Sequence, residues 1–327
     1  MKVHDILHNK EKKVNFLWIL YGLVLVILFL VSSTDLIIKE ETAKIYPISV
    51  VIGDVSDENY VNFRKGMERA AMEFNGDISF ITLYEKGSAA QQKELMLREQ
   101  EDGSRALIVA PVDAGMAAGM QQDNLLTVPV VFINTEKEKV EGLNNMAVLT
   151  FDYHAMGCRM GERILEEHPG EDKVYLLEGE KMNEVDMLFA QGVRDTLSVK
   201  GWTVFLIESA GENDWAQGLE EAVLIAPNPE SLLRAAQFLV EDEQSKEKVK
   251  GLYGRGSTVP LLNYLDKGII QGLCVTDDFS CGYLSVKTAL ELAEHRPVEE
   301  MGYLESYDIG REDLRNEKYE KILFPIE

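Results

Sequence analysis

Ten short apolar runs punctuate the chain from residue 46 onward, separated by stretches whose apolar residues recur at helical spacing. The runs are 48–53, 78–83, 106–110, 128–133, 147–150, 174–177, 204–207, 222–225, 250–253 and 272–275. The helical stretches are 58–74, 89–101, 114–125, 154–167, 183–199, 229–241, 258–267 and 279–294. Most runs are continuously apolar, as strands are when helices cover both faces of a sheet. Regular strand–helix alternation makes those sheets parallel. Ten strands exceed what one compact doubly wound sheet usually holds, so the expected class is α/β with two lobes. An internal echo points the same way. Phe63-x-x-Gly66 opens a helix that closes at Gly76 before a strand, and Phe189-x-x-Gly192 does so before Gly201.

Upstream of this pattern the chain changes character. Residues 16–31 read FLWILYGLVLVILFLV, and Val14, Asn15, Ser32 and Ser33 extend them to the roughly 20 residues that cross a bilayer. Lys2, Lys10, Lys12 and Lys13 outnumber Asp5 and Glu11 before the segment, and Asp35 follows it. The positive-inside rule therefore predicts a cytoplasmic tail at 1–13, a transmembrane anchor at 14–33, a stalk at 34–45 and a body outside the cell membrane. The stretch is longer than an ordinary signal core and no A-x-A-like site follows, so a retained single-pass anchor is expected.

Charge and motifs exclude several chemistries. The formal charge is −23; the first thirteen residues carry +2, which leaves −25 on the remainder. A body that acidic, with no basic stripe, repels phosphate backbones and excludes a nucleic-acid partner. Cys158, Cys274 and Cys281 form no CxxC pair, the five histidines lie at no metal-ligand spacing, and neither metal nor cofactor is expected. Gly254-Arg255-Gly256-Ser257-Thr258 lacks the lysine of a phosphate loop, no GxGxxG follows a strand, and Ser257 sits in no GxSxG elbow. No catalytic set rises above the acidic background.

In open α/β sheets ligands bind beyond the carboxyl ends of the strands. Those ends hold residues 54–60, Asn134 and Thr135, Asp152 and Tyr153, and residues 178–186. Later ends hold residues 213–215, Asn228, Arg255 and residues 276–278. Carboxylates and amides that bond hydroxyls, with aromatic faces that cover C–H surfaces, suit a neutral polyol or sugar. Asp152, Asn228 and Asp277 each also fit a helix N-cap, the role favoured for any one of them, with Asn228-Pro229 a cap-plus-N1 pair, and Tyr60 and Trp215 serve equally as lobe packing.

The chain resembles the type 1 periplasmic-binding family, the sugar-binding group that includes ribose-binding protein and the ligand domains of lac-repressor-type regulators. The resemblance rests on Asp57–Tyr60 with Phe63-x-x-Gly66, residues 128–134, Phe151-Asp152-Tyr153-x-x-Met156-Gly157, residues 268–275 entering Asp277-x-x-x-x-Gly282-Tyr283, and residues 323–326. It implies two Rossmann-like lobes with parallel sheets, the type 1 periplasmic-binding fold, after the N-terminal transmembrane helix. Residues 46–150 plus 277–300 would form the first lobe, and 151–276 plus 301–327 the second. By position it implies ligand contacts at Asp57, Tyr60, Asn134, Thr135, Met187, Asn213, Asn228, Gly256 and Thr276. Sugar binders usually carry arginines where Thr135 and Met187 stand and an acid near Gly256. Asp186, Trp215 and Arg255 are the candidates to replace them, and Asp277 completes the set. Fewer residues separate Asp214 from Ala222 than a full family helix needs, so either most of that helix is missing or residues 215–226 are the helix and a strand is lost. The stop at Pro227-Asn228-Pro229 favours the first.

The resemblance implies a membrane-tethered solute-binding protein for a sugar or similar polyhydroxyl ligand, which does no chemistry itself. It would deliver the ligand to an ABC permease or report it to a membrane histidine kinase. An extracytoplasmic enzyme using the same cleft, and a receptor scaffold that has lost its ligand, are the alternatives.

Overall fold

A computed structural model describes residues 2–33, 45–140, 145–170, 173–179, 182–208, 219, 221–299 and 301–325. The chain divides into two compact units, Met1–Lys44 and Ile45–Glu327. The first is a helix, α1 (Lys2–Ser33), whose stretch Val14–Val31 is long and apolar enough to cross a membrane. Its large apolar side chains, from Phe16 and Trp18 to Phe29 and Leu30, are exposed.

The second unit is built on two sheets. Strands β1 (Tyr46–Val51), β2 (Gly76–Ile81), β3 (Ala106–Val109), β4 (Val130–Ile133) and β5 (Met146–Leu149) form an all-parallel sheet of order β2-β1-β3-β4-β5. Strands β6 (Lys173–Glu178), β7 (Val204–Glu208), β8 (Ala222–Ala226), β9 (Val249–Arg255), β10 (Gly272–Thr276) and β11 (Ser306–Ile309) form the other, of order β11-β10-β9-β8-β6-β7. Only the β10–β11 pair is antiparallel. All ten expected strands are present. The eleventh, β11, reads Ser-Tyr-Asp-Ile and sits at a sheet edge, where half-polar strands are tolerated and apolar runs are not required. The fully buried strand β8 decides between the two readings of residues 215–226 in favour of a strand; the expected helix shortfall falls at 209–218, outside the described residues.

The helices are α2 (Val61–Phe74), α3 (Ala89–Glu101), α4 (Ala114–Gln122), α5 (Lys137–Val140), α6 (Tyr153–Glu167) and α7 (Glu184–Val199). They continue with α8 (Pro229–Glu241), α9 (Glu243–Lys248), α10 (Val259–Asp266), α11 (Asp278–Ala293) and α12 (Glu317–Leu323). The expected helix 58–74 is interrupted: Glu58–Tyr60 make a tighter turn before α2, with Tyr60 N–H donating to the Asp57 carbonyl at 2.8 Å.

Two helix pairs explain the internal echo. Helix α11 packs on α2, and a Cβ at Gly66 would lie 2.0 Å from the Phe279 carbonyl oxygen, one at Gly282 2.0 Å from that of Phe63. Helix α7 packs on α6 in the same way, with a Gly157 Cβ 2.0 Å from the Phe189 oxygen and a Gly192 Cβ 2.1 Å from that of His154. Only glycine permits backbones this close. The crossings carry one continuous core from Ile48, Ile108 and Phe63 through Phe151 and Tyr153 to Phe189, Leu176 and Ile225. Separate cores lie under the outer faces of the two sheets.

Candidate ligand-binding cleft

The carboxyl ends of both sheets open onto one cavity of about 410 Å³, a size suited to a small ligand. Each wall is assembled from the turn that follows a strand. After β1 come Gly53, Asp54, Asn59 and Tyr60; after β3, Ala110 to Val112; after β4, Asn134. The opposite wall has Asn183, Val185 and Asp186 at the start of α7, Asn228 to Glu230 at the start of α8, and Arg255 to Thr258 after β9. Tyr153, Thr276, Asp278 and Cys281 close the floor between them.

Tyr60 is held edge-on against Phe63 and Phe80, with ring centroids 6.0 and 5.9 Å away, so its hydroxyl reaches Asp54 and Asn134. Burial and then the Asp54 charge push that phenol well above its ordinary range. Asn134 takes a left-handed conformation, φ 48°, which asparagine tolerates better than most side-chain-bearing residues. Its Oδ1 accepts from the Tyr153 hydroxyl at 3.0 Å. The Arg255 guanidinium lies over the Tyr153 ring, 5.0 Å from its centre, and donates to the Pro227 carbonyl at 3.0 Å and to Asp186.

Asp186 is the third residue of α7 and completes a capping box with Asn183: each side chain accepts from the other's backbone N–H, at 3.2 and 2.9 Å. Burial raises its carboxyl above the usual range, and Arg255 with the Asn183 N–H pulls it back. Asn228 fills both roles left open for it. Its Oδ1 caps α8 by accepting from Ser231 N at 2.9 Å, while its amide donates to Asp186 at 3.4 Å and lines the cavity. On the floor, Asp278 accepts from Thr276 Oγ1 at 2.7 Å and Ser257 Oγ at 3.3 Å, yet desolvation lifts its pKa to about 6. Asp54 is raised by burial too, against the opposing charge of Lys86.

The two walls are clasped. Lys86 on the first-sheet side pairs with Glu230, Lys139 pairs with Glu184 at 3.1 Å, and Ser257 after β9 reaches Asp278 on α11. The cleft is therefore in a closed arrangement.

Of the candidate residues, Tyr60, Asn134, Asp186, Asn228, Arg255, Gly256 and Thr276 come together in the cavity. Four others are placed elsewhere. Asp57 pairs with Arg64 and faces a shallow depression with Val55, Ser56, Ile78, Phe80 and Thr82, because the turn at Glu58–Tyr60 sends Tyr60 inward and Asp57 away. Thr135 is buried at the base of the chain crossing, its backbone N–H and C=O bonded to the Thr150 hydroxyl at 3.3 and 2.7 Å. Met187 is 52% exposed, since the capping box turns Asp186 inward and the next residue points out. Asp277 is consumed as the N-cap of α11, accepting from Ser280 N and Oγ. Asn213 and Trp215 lie outside the described residues.

The cavity also contains residues that the candidate set omits. Asp54, Tyr153 and Asp278 belong to the strand-end segments already identified, and their position at those ends was the available signal. Lys86 and Glu230 carried none, being single charges among many on an acidic chain.

Residues 48–297 match the family model described as periplasmic binding protein domain. Solved structures share the fold at low identity. A glucose-galactose binding protein, GanP, from Geobacillus stearothermophilus is 18% identical with a TM-score of 0.70, over 83% of this chain and 99% of that one. An ABC transporter solute-binding protein from Agrobacterium vitis with bound D-fucose is 15% identical with a TM-score of 0.73, over 85% and 100%. A LacI-type transcriptional regulator from Bacteroides fragilis, 14% identical, has a TM-score of 0.70 over 83% and 99%. No curated protein matches the chain by sequence.

Proposed function

The chain belongs to the periplasmic binding protein domain family, and from that premise we propose that it is a membrane-tethered solute-binding protein for a sugar or similar polyhydroxyl ligand. The observation that carries this reading is the clasped cavity, in which amides, carboxylates, an arginine and two tyrosines converge from both walls. That mixture suits hydroxyl-rich molecules: Asn134, Asn228 and Asp54 bond hydroxyls, and the tyrosine rings cover apolar C–H faces. Several solved structures of the same fold are solute-binding proteins of ABC transporters, one with bound D-allose, which supports an importer as the destination. A membrane histidine kinase that senses the closed form is the other partner class. Helix α1 is read as the anchor that keeps the body outside the membrane, beside that partner. The protein binds and releases its ligand unchanged.

The test is a thermal-shift and calorimetric screen of the full chain in detergent micelles against sugars and polyols. A ligand present at 100 times its dissociation constant should stabilise the body by about 2.7 kcal/mol. Replacing Asn134 and Asn228 by alanine together should abolish the shift. A ligand that binds equally well to that double variant would sink the cleft assignment, and conversion of the ligand during incubation would overturn the non-enzyme reading.

A further inference from the structure

The charged residues around the cavity do not balance. Among the described residues its lining holds four carboxylates, Asp54, Asp186, Glu230 and Asp278, against two cations, Lys86 and Arg255. Both cations are already engaged, Lys86 with Glu230 and Arg255 with Asp186. Arg255 is held further by the Pro227 carbonyl and by its stacking on Tyr153, so it cannot turn toward the floor without losing three contacts. Asp54 meets the Tyr60 hydroxyl and shares the Lys86 charge with Glu230, while Asp278 meets the hydroxyls of Thr276 and Ser257. Such donors solvate a carboxylate without neutralising it. Closing the cleft over a neutral molecule strips water from a site whose described lining carries a formal charge of −2, where repulsion is least screened.

Resting on the sugar-binding reading above, we propose that the ligand bears a protonated amine beside its hydroxyls, as an amino sugar or amino polyol does, and that Asp54 and Asp278 receive that ammonium group. The amides Asn134 and Asn228 take hydroxyls, the two tyrosines cover the ring, and the cation supplies the charge that the cavity lacks. A neutral sugar gains the hydroxyl contacts and leaves the carboxylates uncompensated. Burial already strains both groups toward the protonated form, and an ammonium partner reverses that bias.

The experiment is isothermal titration of the full chain in micelles with D-glucosamine, D-galactosamine, their neutral parents D-glucose and D-galactose, N-acetyl-D-glucosamine, and putrescine. At least one amine sugar should bind at least tenfold more tightly than its parent. Acetylation should abolish that advantage, and rising salt should erode it. An Asp54→Asn/Asp278→Asn variant should bring amine and parent to equal affinity; should that variant fail to fold, the wild-type series decides alone. A parent sugar that binds as tightly as its amine overturns the charge inference and leaves the sugar-binding reading intact. Putrescine binding more tightly than either amine sugar overturns the hydroxyl half. Silence from all six probes overturns both readings.

Discussion

Two aspartate–arginine pairs, built from the same groups, stand about the cleft in opposite circumstances. Asp57 and Arg64 meet on the outer side of the turn after β1, and each side chain keeps 42% of its surface exposed. Asp186 and Arg255 meet inside the cavity, with 5% and 13% exposed. The outer pair is solvated, screened by salt and replaceable by water. The inner pair has surrendered its hydration and depends on its partners: the capping box at Asn183, the Pro227 carbonyl, the Tyr153 ring and the Asn228 amide. Identical chemistry thus decorates a surface in one place and organises a cavity wall in the other. The backbone direction of the preceding turn makes the difference.

The sharpest way to break this contrast is Asp186→Ala. It strands the Arg255 charge in the cavity, a change that costs about 3–5 kcal/mol when a buried pair loses one member. Denaturant melts of the full chain should register a loss of that size, with ligand binding lost as well. The double change Asp186→Leu with Arg255→Met removes both charges and should recover much of the stability, because hydrophobic replacements of buried pairs are often neutral or better. Binding should stay lost. If Asp186→Ala costs less than about 1 kcal/mol, the range of an exposed pair, the inner pair is solvated after all and the contrast collapses.

The contrast also marks where sequence reasoning stops. Fold class was legible because it depends on many residues at once: ten apolar runs, their helical spacers and the Phe-x-x-Gly echo all report burial, and burial repeats. The edge strand β11 was not legible, because only Ile309 of its four residues is fully buried and its sequence carries no apolar run. Side-chain direction within a turn was the least visible feature. Asp57 and Asp54 lie three residues apart in one polar loop, and only the tight turn at Glu58–Tyr60 decides which of them meets the cleft. Met187 and Asp186 are adjacent, and the capping box with Asn183 chooses between them. Arg255 was visible as a replacement for missing family arginines, but not as the partner of Asp186, since the two are 69 positions apart.

A smaller effect comes from Asp278, an inner carboxylate that makes no ion pair among the described residues. Asp278 is raised from 3.8 to about 6 in the folded chain. Between those values the native state holds a proton that the unfolded state has released. This group's contribution to stability therefore grows as the pH falls through 6 and is complete below about 3.8. The full difference is on the order of 3 kcal/mol. Comparing melts of the parent and Asp278→Asn at pH 7.5 and pH 5 isolates it: the variant should lack this part of the gain on acidification. Equal pH dependence in the two proteins would mean that Asp278 is hydrated in the ligand-free cleft.

The smallest effect belongs to the outer pair. Asp57 looks from its sequence position like a hydroxyl acceptor, following the first strand in a loop too polar for a core. In the structure its carboxylate faces Arg64 over the shallow depression beside Phe80, and the guanidinium rests 5.4 Å above that ring. Removing it leaves Arg64 in water and stacked, so Asp57→Ala should cost no more than about 1 kcal/mol, and that loss should vanish at high salt. Affinity for the cleft ligand should stay within a factor of two of the parent. Its backbone carbonyl, which holds Tyr60 N–H, survives the substitution, so the turn that aims Tyr60 inward is retained. Titration calorimetry on the parent, Asp57→Ala and Tyr60→Phe separates the roles, because Tyr60→Phe removes the hydroxyl that reaches Asp54 and Asn134 and should weaken binding by roughly tenfold, the worth of one buried hydrogen bond. A tenfold loss in Asp57→Ala with no loss in Tyr60→Phe would invert the contrast, placing the ligand in the outer depression instead of between the walls.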